Sequence, residues 1–307
     1  MIVYLIRRLA LLVPVFFVVS LIVFLIIHLV PGDPIDHLLR PGASPAQRVQ
    51  MASRYGLDRS LAEQYFHWMA QLLSGDLGTS IIQNRPVRSL IAQNLPDSLQ
   101  LGGAALIFST ITGITLGIVA AIFQGTRIDD AVTSLSIVGS TVPNFWLGLL
   151  LIMVFAVWLG WVPISGARGW TSLILPVIAT GLGGVALVAR VTRIAMIETT
   201  RQDFVMLLHA KGLSPAAIQL RHILRHAMVP VVTILSLRIG WVLGGTVTTE
   251  YVFARPGLGS LLIRALSQRD YPLVQGCLLM LAMAVILGVL VGDILQAAMD
   301  PRQREIR

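Results

Sequence analysis

Few side chains in this sequence are spaced for chemistry. His222 and His226 stand four residues apart, which puts both imidazoles on one helical face where they could hold a metal ion. Arg221 and Arg225 flank the pair and would repel a cation, and no third ligand is near. Ser140, Ser165 and Ser236 lack the glycine-flanked elbow of a serine nucleophile, and no HExxH pattern occurs. Cys277 is the single cysteine, so neither a disulfide nor a cysteine metal site is available. No GxxxxGK[ST] loop is present to cradle nucleotide phosphates, so any ATP and Mg must be handled by another polypeptide. The expectation is a non-enzyme with no catalytic residue, no metal and no cofactor of its own.

Two polar features remain. The stretch "HAKGLSPAAIQLRHILRHAMVP", His209 to Pro230, holds Lys211, the only lysine of the chain. Arg238 is a fixed charge inside the apolar run that follows. Both must be positioned by elements of an unusual chain, with 55% hydrophobic residues, 12% charged residues and a mean hydropathy of +0.80. A soluble domain carries about 25% charged residues, so this one belongs in a bilayer. The net charge of +8 does not mark a nucleic-acid partner, because the basic residues flank apolar spans instead of gathering on one soluble module.

Six stretches are apolar enough to cross a hydrocarbon core that needs roughly 20 helical residues: 9–30, 98–123, 131–160, 173–195, 229–249 and 274–297. The fold class expected is an all-α integral membrane protein with six transmembrane helices. The first stretch follows Arg7 and Arg8 and shows no small-residue cleavage site, so it reads as a retained helix. With those arginines in the cytoplasm, 31–97, 161–172 and 250–273 fall outside, and 124–130, 196–228 and both termini fall inside. The inside segments and the inner end of the 173–195 span then carry Arg127, Arg190, Arg193, Arg201, Lys211, Arg221, Arg225, Arg302, Arg304 and Arg307, and the short outside loop 161–172 only Arg168. The organisation expected is 1–30, a cytoplasmic N-terminus and first helix; 31–97, an extracytoplasmic helical loop; and 98–307, a five-helix core with a polar cytoplasmic loop near 196–228.

In that loop the pattern predicts a helix through "DFVMLLHA", a left-handed stop at Gly212, and a second helix opened by Ser214 as N-cap with Pro215 at its first position. Leu207, Leu208 and Leu213 are its candidate apolar anchors. In the outer loop, Ser60 and Glu63 form a capping box, Gly75 closes the helix, and Leu61, Tyr65, Trp68, Met69 and Leu72 share one face. Packing on the membrane domain and contact with a partner are both open for that face. Gly113 and Gly117, Gly240 and Gly244, and Gly288 and Gly292 read as packing seams, within the chain or between chains. At 100° per residue Arg238 shares a face with Gly245 and Thr249, opposite a small-residue stripe of Ser236, Gly240, Gly244 and Thr248. The face of Arg238, Gly245 and Thr249 is thus left either for pairing inside the bundle, with Asp293 the candidate carboxylate, or for lining a translocation path.

The segment "DFVMLLHAKGLSPAAIQLRHILRHAMVPVVT" resembles the cytoplasmic EAA loop of binding-protein-dependent ABC importer permeases of the dipeptide, oligopeptide, glutathione and nickel branch. The similarity extends to "YLIRRLALLVPVFFVVSLIVFLIIHLVPGDP", "YGLDRSLAEQYFHWMAQLLSGDLGTS", "GSTVPNFWLGLLLI", "FARPGLGSLLIRALSQRDYPLVQG" and "DILQAAMDPRQR", nearly the whole chain. The resemblance implies a type I importer permease fold in a bacterial inner membrane. It makes Leu207, Leu208, His209, Ala210, Lys211, Gly212, Leu213 and Ser214 an ATPase-coupling helix and turn. It also implies a second, related permease, two ATPase subunits that bind ATP and Mg, and an extracytoplasmic substrate-binding protein. The cargo implied is a peptide or glutathione, with nickel or a nickel complex as the alternative. His209, His226 and Arg238 depart from the family, which usually has arginine, asparagine and a neutral residue there. A stand-alone secondary transporter or channel is the competing class, although no internal repeat supports it.

Overall fold

A computed structural model describes residues 2–29, 44, 46, 58–166, 169–241 and 243–299. The "PGDP" stretch, Arg168 and the tail arginines 302, 304 and 307 lie outside the described residues. The described chain is helical: α1 (Ile2–Leu29), α2 (Leu61–Leu73), α3 (Val87–Ile122), α4 (Arg127–Thr141), α5 (Asn144–Leu151), α6 (Thr171–Thr200), α7 (Asp203–Ala210), α8 (Pro215–Trp241), α9 (Val247–Val252), α10 (Leu258–Ser267) and α11 (Tyr271–Met299). A π-helical stretch, Ile152–Trp158, extends α5, and another, Ile218–Ile223, lies within α8.

Among the described residues five helices are long and apolar enough to span a membrane: α1, α3, α6, α8 and α11. The sixth candidate span is a bent pair. The expected continuous span over 131–160 divides into α4 and α5, which meet at 107°. The cause is Pro143: proline has no N–H for the helical ladder and forces the preceding residue out of the α region, and Val142 accordingly sits at φ −73°, ψ 124°. A second correction concerns the boundary drawn at 97/98, which falls inside α3, because that helix begins at Val87 and runs unbroken through Pro96.

The core is made by close backbone approach. A Cβ on Gly113 would lie 2.7 Å from the Cβ of Val188, and one on Gly117 2.6 Å from the carbonyl of Ala189, so α3 and α6 touch along a glycine groove. On α8 and α11 a Cβ at Gly288 would meet the Cα of Gly240 at 2.7 Å, and one at Gly292 the carbonyl of Ser236 at 2.3 Å. Apolar burial gives helices little reason to leave lipid, so such contacts carry association. Both seams lie within this one chain. Gly244 makes no such contact, since a Cβ there would meet nothing within 4 Å.

Helix α2 packs on α1. Its capping box forms as expected, with Glu63 N–H donating to Ser60 Oγ at 3.3 Å and Ser60 N–H to Glu63 Oε2 at 3.0 Å. Those Ser60 hydrogen bonds hold the Glu63 carboxyl below its usual range. The Tyr65 hydroxyl meets Ser20 Oγ at 3.0 Å, and Phe24 stacks on Tyr65 and Trp68 with centroids 5.5 and 6.0 Å apart. The aromatic face of α2 is therefore occupied by α1.

At the end of the bundle away from Arg8, two buried carboxylates tie distant segments together. Glu250 accepts from Ser98 Oγ (2.6 Å) and Thr246 Oγ1 (2.9 Å), and from the N–H groups of Gly259 (2.8 Å) and Ser260 (3.2 Å) that open α10. A Cβ at Gly257 would lie 2.2 Å from Glu250 Oε2, so only glycine fits beside this carboxylate. Asp270 accepts from Ser80 Oγ and from the N–H groups of Ile81 (3.1 Å) and Ile82 (3.4 Å), which fastens the outer loop to the α10–α11 corner.

Gly292→Val should lower the thermal midpoint of the purified protein in detergent by several degrees, as overpacking by about 1–3 kcal/mol predicts. Gly103→Ala, at a helical position with nothing within 4 Å of the new methyl, should leave the midpoint unchanged or raise it. Equal midpoints for Gly292→Val and the parent would remove the α8–α11 seam as a determinant of the fold.

Candidate functional site

The turn between α7 and α8 is built by local hydrogen bonds. Leu213 N–H donates to Leu208 O at 3.3 Å and Gly212 N–H to His209 O at 2.9 Å, the paired closure of a helix that ends on a left-handed residue. Gly212 supplies that residue with φ +75°. Ser214 then caps α8, accepting from Ala217 N–H at 3.4 Å, with Pro215 in the first helical position. The expected helix, glycine stop and capped restart are all present.

Helix α7 is fastened to the bundle along one side. Val205 is buried against Ala195 and Met196 of α6 and against Ile218, Ile223 and Ala227 of α8. Leu208 and Leu213 pack on the same cluster, and the Phe204 and His226 rings lie 4.9 Å apart. Of the three leucines expected to face outward, only Leu207 does so. The exposed apolar surface is Leu207 together with Met206, which is 70% exposed and which the sequence reading passed over. Its signal was the helical spacing that places Phe204, Val205 and Leu208 on the opposite side. His209, Ala210, Lys211, Gly212 and Ser214 are exposed around the tip.

Arg238 has different neighbours from those expected. The α8 helix stops at Trp241, and Leu243 with the 3₁₀ turn Gly244–Thr246 separates it from α9, so the helical register does not carry on to Gly245 and Thr249. Thr249 is buried, and its hydroxyl accepts from Thr180 Oγ1 at 3.0 Å. Gly245 faces open space. The guanidinium lies on Gly184 of α6 beside Ser109 of α3: a Cβ at Gly184 would sit 2.4 Å from Arg238 Nη2 and 2.8 Å from Ser109 Cβ. Asp293, the partner considered for Arg238, forms its ion pair with Arg8 at 3.0 Å and links α1 to α11.

The sequence reading also missed a bidentate pair near the α7–α8 turn. Arg193 of α6 donates through Nε and Nη2 to Asp129 of α4 at 2.5 and 2.7 Å, and Gly125 N–H donates to the same carboxylate at 3.0 Å. This pair anchors α4 to α6.

Residues 113–305 match the family described as "Binding-protein-dependent transport system inner membrane component", and residues 1–102 match its N-terminal component. The chain belongs to this family. The permease is 39% identical over 302 residues to the glutathione transport system permease protein GsiC of Escherichia coli, covering 98% of both chains. It is 39% identical over 330 residues to the di/tripeptide transport system permease protein DppB of Pseudomonas aeruginosa, again with 98% of both covered. Its fold is similar to that of a chain of the MetNI methionine ABC transporter solved in inward-facing conformations, with a TM-score of 0.56, 19% identity, 69% of this chain and 97% of that one covered. The protein is thus a multi-pass inner membrane component of a transport system that works with a binding protein, not a catalytic subunit and not a stand-alone transporter.

Gly212→Pro removes the N–H that closes α7 and forbids the left-handed φ. In the reconstituted transporter this variant should insert normally and lose stimulation of ATP hydrolysis by loaded binding protein. Normal stimulation would show that the turn is not needed for coupling.

Proposed function

We propose that this permease forms half of the translocation path of an ATP-driven importer for glutathione or short peptides. The observation that carries the reading is end-to-end identity of 39% with both a glutathione and a di/tripeptide permease. Arginines concentrated around the α7–α8 turn, in the first turns of α1 and in the C-terminal tail favour a cytoplasmic location for that turn and for both termini.

In this reading α7 and its turn, Leu207 to Ser214, form the coupling element. A short helix with an exposed apolar side, Met206 and Leu207, suits a groove on a soluble ATPase subunit, which holds the ATP and Mg. The tip residues His209, Ala210, Lys211, Gly212 and Ser214 set the shape presented to that groove, while Leu208 and Leu213 bind it to the bundle from within. Val205 is locked to α6 and α8 together, so a displacement of α7 moves both helices as one body. The complete importer contains a second, related permease, two ATPase subunits and an extracytoplasmic binding protein that hands over the substrate.

Purification of the complex with its partners, followed by native mass spectrometry, should give one copy of this chain, one of a different permease and two ATPase subunits. Proteoliposomes containing it should take up radiolabelled glutathione or dialanine when ATP is present on the ATPase side. A complex with two copies of this chain and no second permease, or uptake without ATPase subunits, would overturn the reading.

A further inference from the structure

Arg238 lies against the middle of the apolar helix α6. Gly184, on which its guanidinium rests, lies 13 residues from Thr171 and 16 from Thr200, about 20–24 Å from either end of α6 at the helical rise. Gly240, two residues on, packs on Gly288 in the interior of α11. The Gly244–Gly245 turn follows shortly after the end of α8. At neither glycine would a Cβ meet any atom within 4 Å, so the backbone there borders open space. Non-helical backbone at membrane depth is tolerated where it is buried in protein or lines a water-filled cavity.

A guanidinium keeps its charge in proteins, so Arg238 cannot relieve its burial by losing a proton. It is half-buried, and its Nε has no hydrogen-bond partner. Among the described residues no carboxylate stands within ion-pair distance of it, in contrast to Arg193 with Asp129 and Arg8 with Asp293. The nearby C-terminal carbonyls of α8 offset part of the charge. A fixed charge left this way in a membrane protein marks a place where an anion from outside the chain completes the site.

We propose that Arg238 is a carboxylate-binding station in the translocation path, and that the carboxylate it receives is the C-terminal one of the transported peptide. The inference rests on the peptide reading above. The planar fork of arginine matches a carboxylate through two parallel hydrogen bonds, and low dielectric strengthens the pairing. Gly184 is what permits it: an alanine there would intrude on the guanidinium. The open Gly244–Gly245 segment, six residues further along the chain, then leaves room for the rest of a short peptide. A bare divalent cation is repelled at this position.

The test uses the complete importer in proteoliposomes with saturating, peptide-loaded binding protein. Arg238→Gln should still co-elute with the second permease and import radiolabelled dialanine or glutathione about tenfold or more slowly, the loss expected for a charged hydrogen bond. Arg238→Lys should recover part of that loss. A benzoylphenylalanine placed at Gly245 should crosslink to the peptide during turnover in the parent and not in Arg238→Gln. Full uptake and crosslinking in Arg238→Gln would overturn the proposal. Loss of the second permease from the Arg238→Gln complex would also overturn it, assigning the carboxylate to that partner. Parent proteoliposomes that import neither peptide would instead refute the substrate reading on which this one stands.

Discussion

The distance between helix backbones is the constraint from which the rest of this structure follows. Lipid tails solvate leucine as well as another helix does, so α3 and α6 gain from meeting only if they come close enough for backbone atoms to touch. Gly113, Gly117, Gly181 and Gly184 make that approach possible, each occupying a position where a methyl would strike the facing helix or side chain. The same spacing leaves a gap over Gly184 just large enough for a guanidinium. On the other side of α8, Ser236 and Gly240 meet Gly288 and Gly292 in the same manner. Arg238 therefore points from one glycine-lined helix pair toward another, and its location is a by-product of how tightly both pairs close.

Among the described residues several charges are satisfied within the chain, whereas Arg238 has no ion-pair partner. Asp129 and Arg193 share two hydrogen bonds where α4 meets α6, and Arg8 and Asp293 pair between α1 and α11. Glu250 and Asp270, both wholly buried, are wrapped by hydroxyl and backbone donors. Burying a carboxylate without such donors would cost several kcal/mol, so these networks hold their segments to one arrangement. Arg255 is buried as well, with Gln100 and Ser172 each 3.4 Å away. Arg238 differs from Arg8 and Arg193 in having no carboxylate within ion-pair distance among the described residues, and from Arg255 in being only half-buried.

Much of this was legible because it is local. The stop at Gly212 and the restart at Ser214 and Pro215 rest on backbone preferences of consecutive residues, and a sequence displays those directly. Apolar length likewise displays the spans. The bend between α4 and α5 was legible in principle from Pro143, but hydropathy averages over a proline and reported a single run. The break after Trp241 had a comparable signal in Gly244–Gly245, and extending the 100° register across it misplaced Thr249. The partners of Asp293, Glu250 and Asp270 were not legible, since each is chosen by tertiary packing across as many as 285 residues. Leu208 and Leu213 show the remaining difficulty: composition marks both as apolar, and only the packed structure says whether an apolar residue faces inward or outward.

The knot around Glu250 has a consequence for synthesis. Its donor Ser98 lies 152 residues before it in the chain, and the Ser80–Asp270 contact spans 190. At translation rates of about 5–20 residues per second, Ser98 emerges from the ribosome roughly 10–30 seconds before the carboxylate that will receive its hydroxyl. Through that interval α3 rests in the bilayer with the corner incomplete, and the outer loop has nothing to fasten to. The permease thus completes the end of the bundle around Glu250 and Asp270 last, and a nascent chain interrupted before α10 carries spanning helices without the clasp that holds them in register.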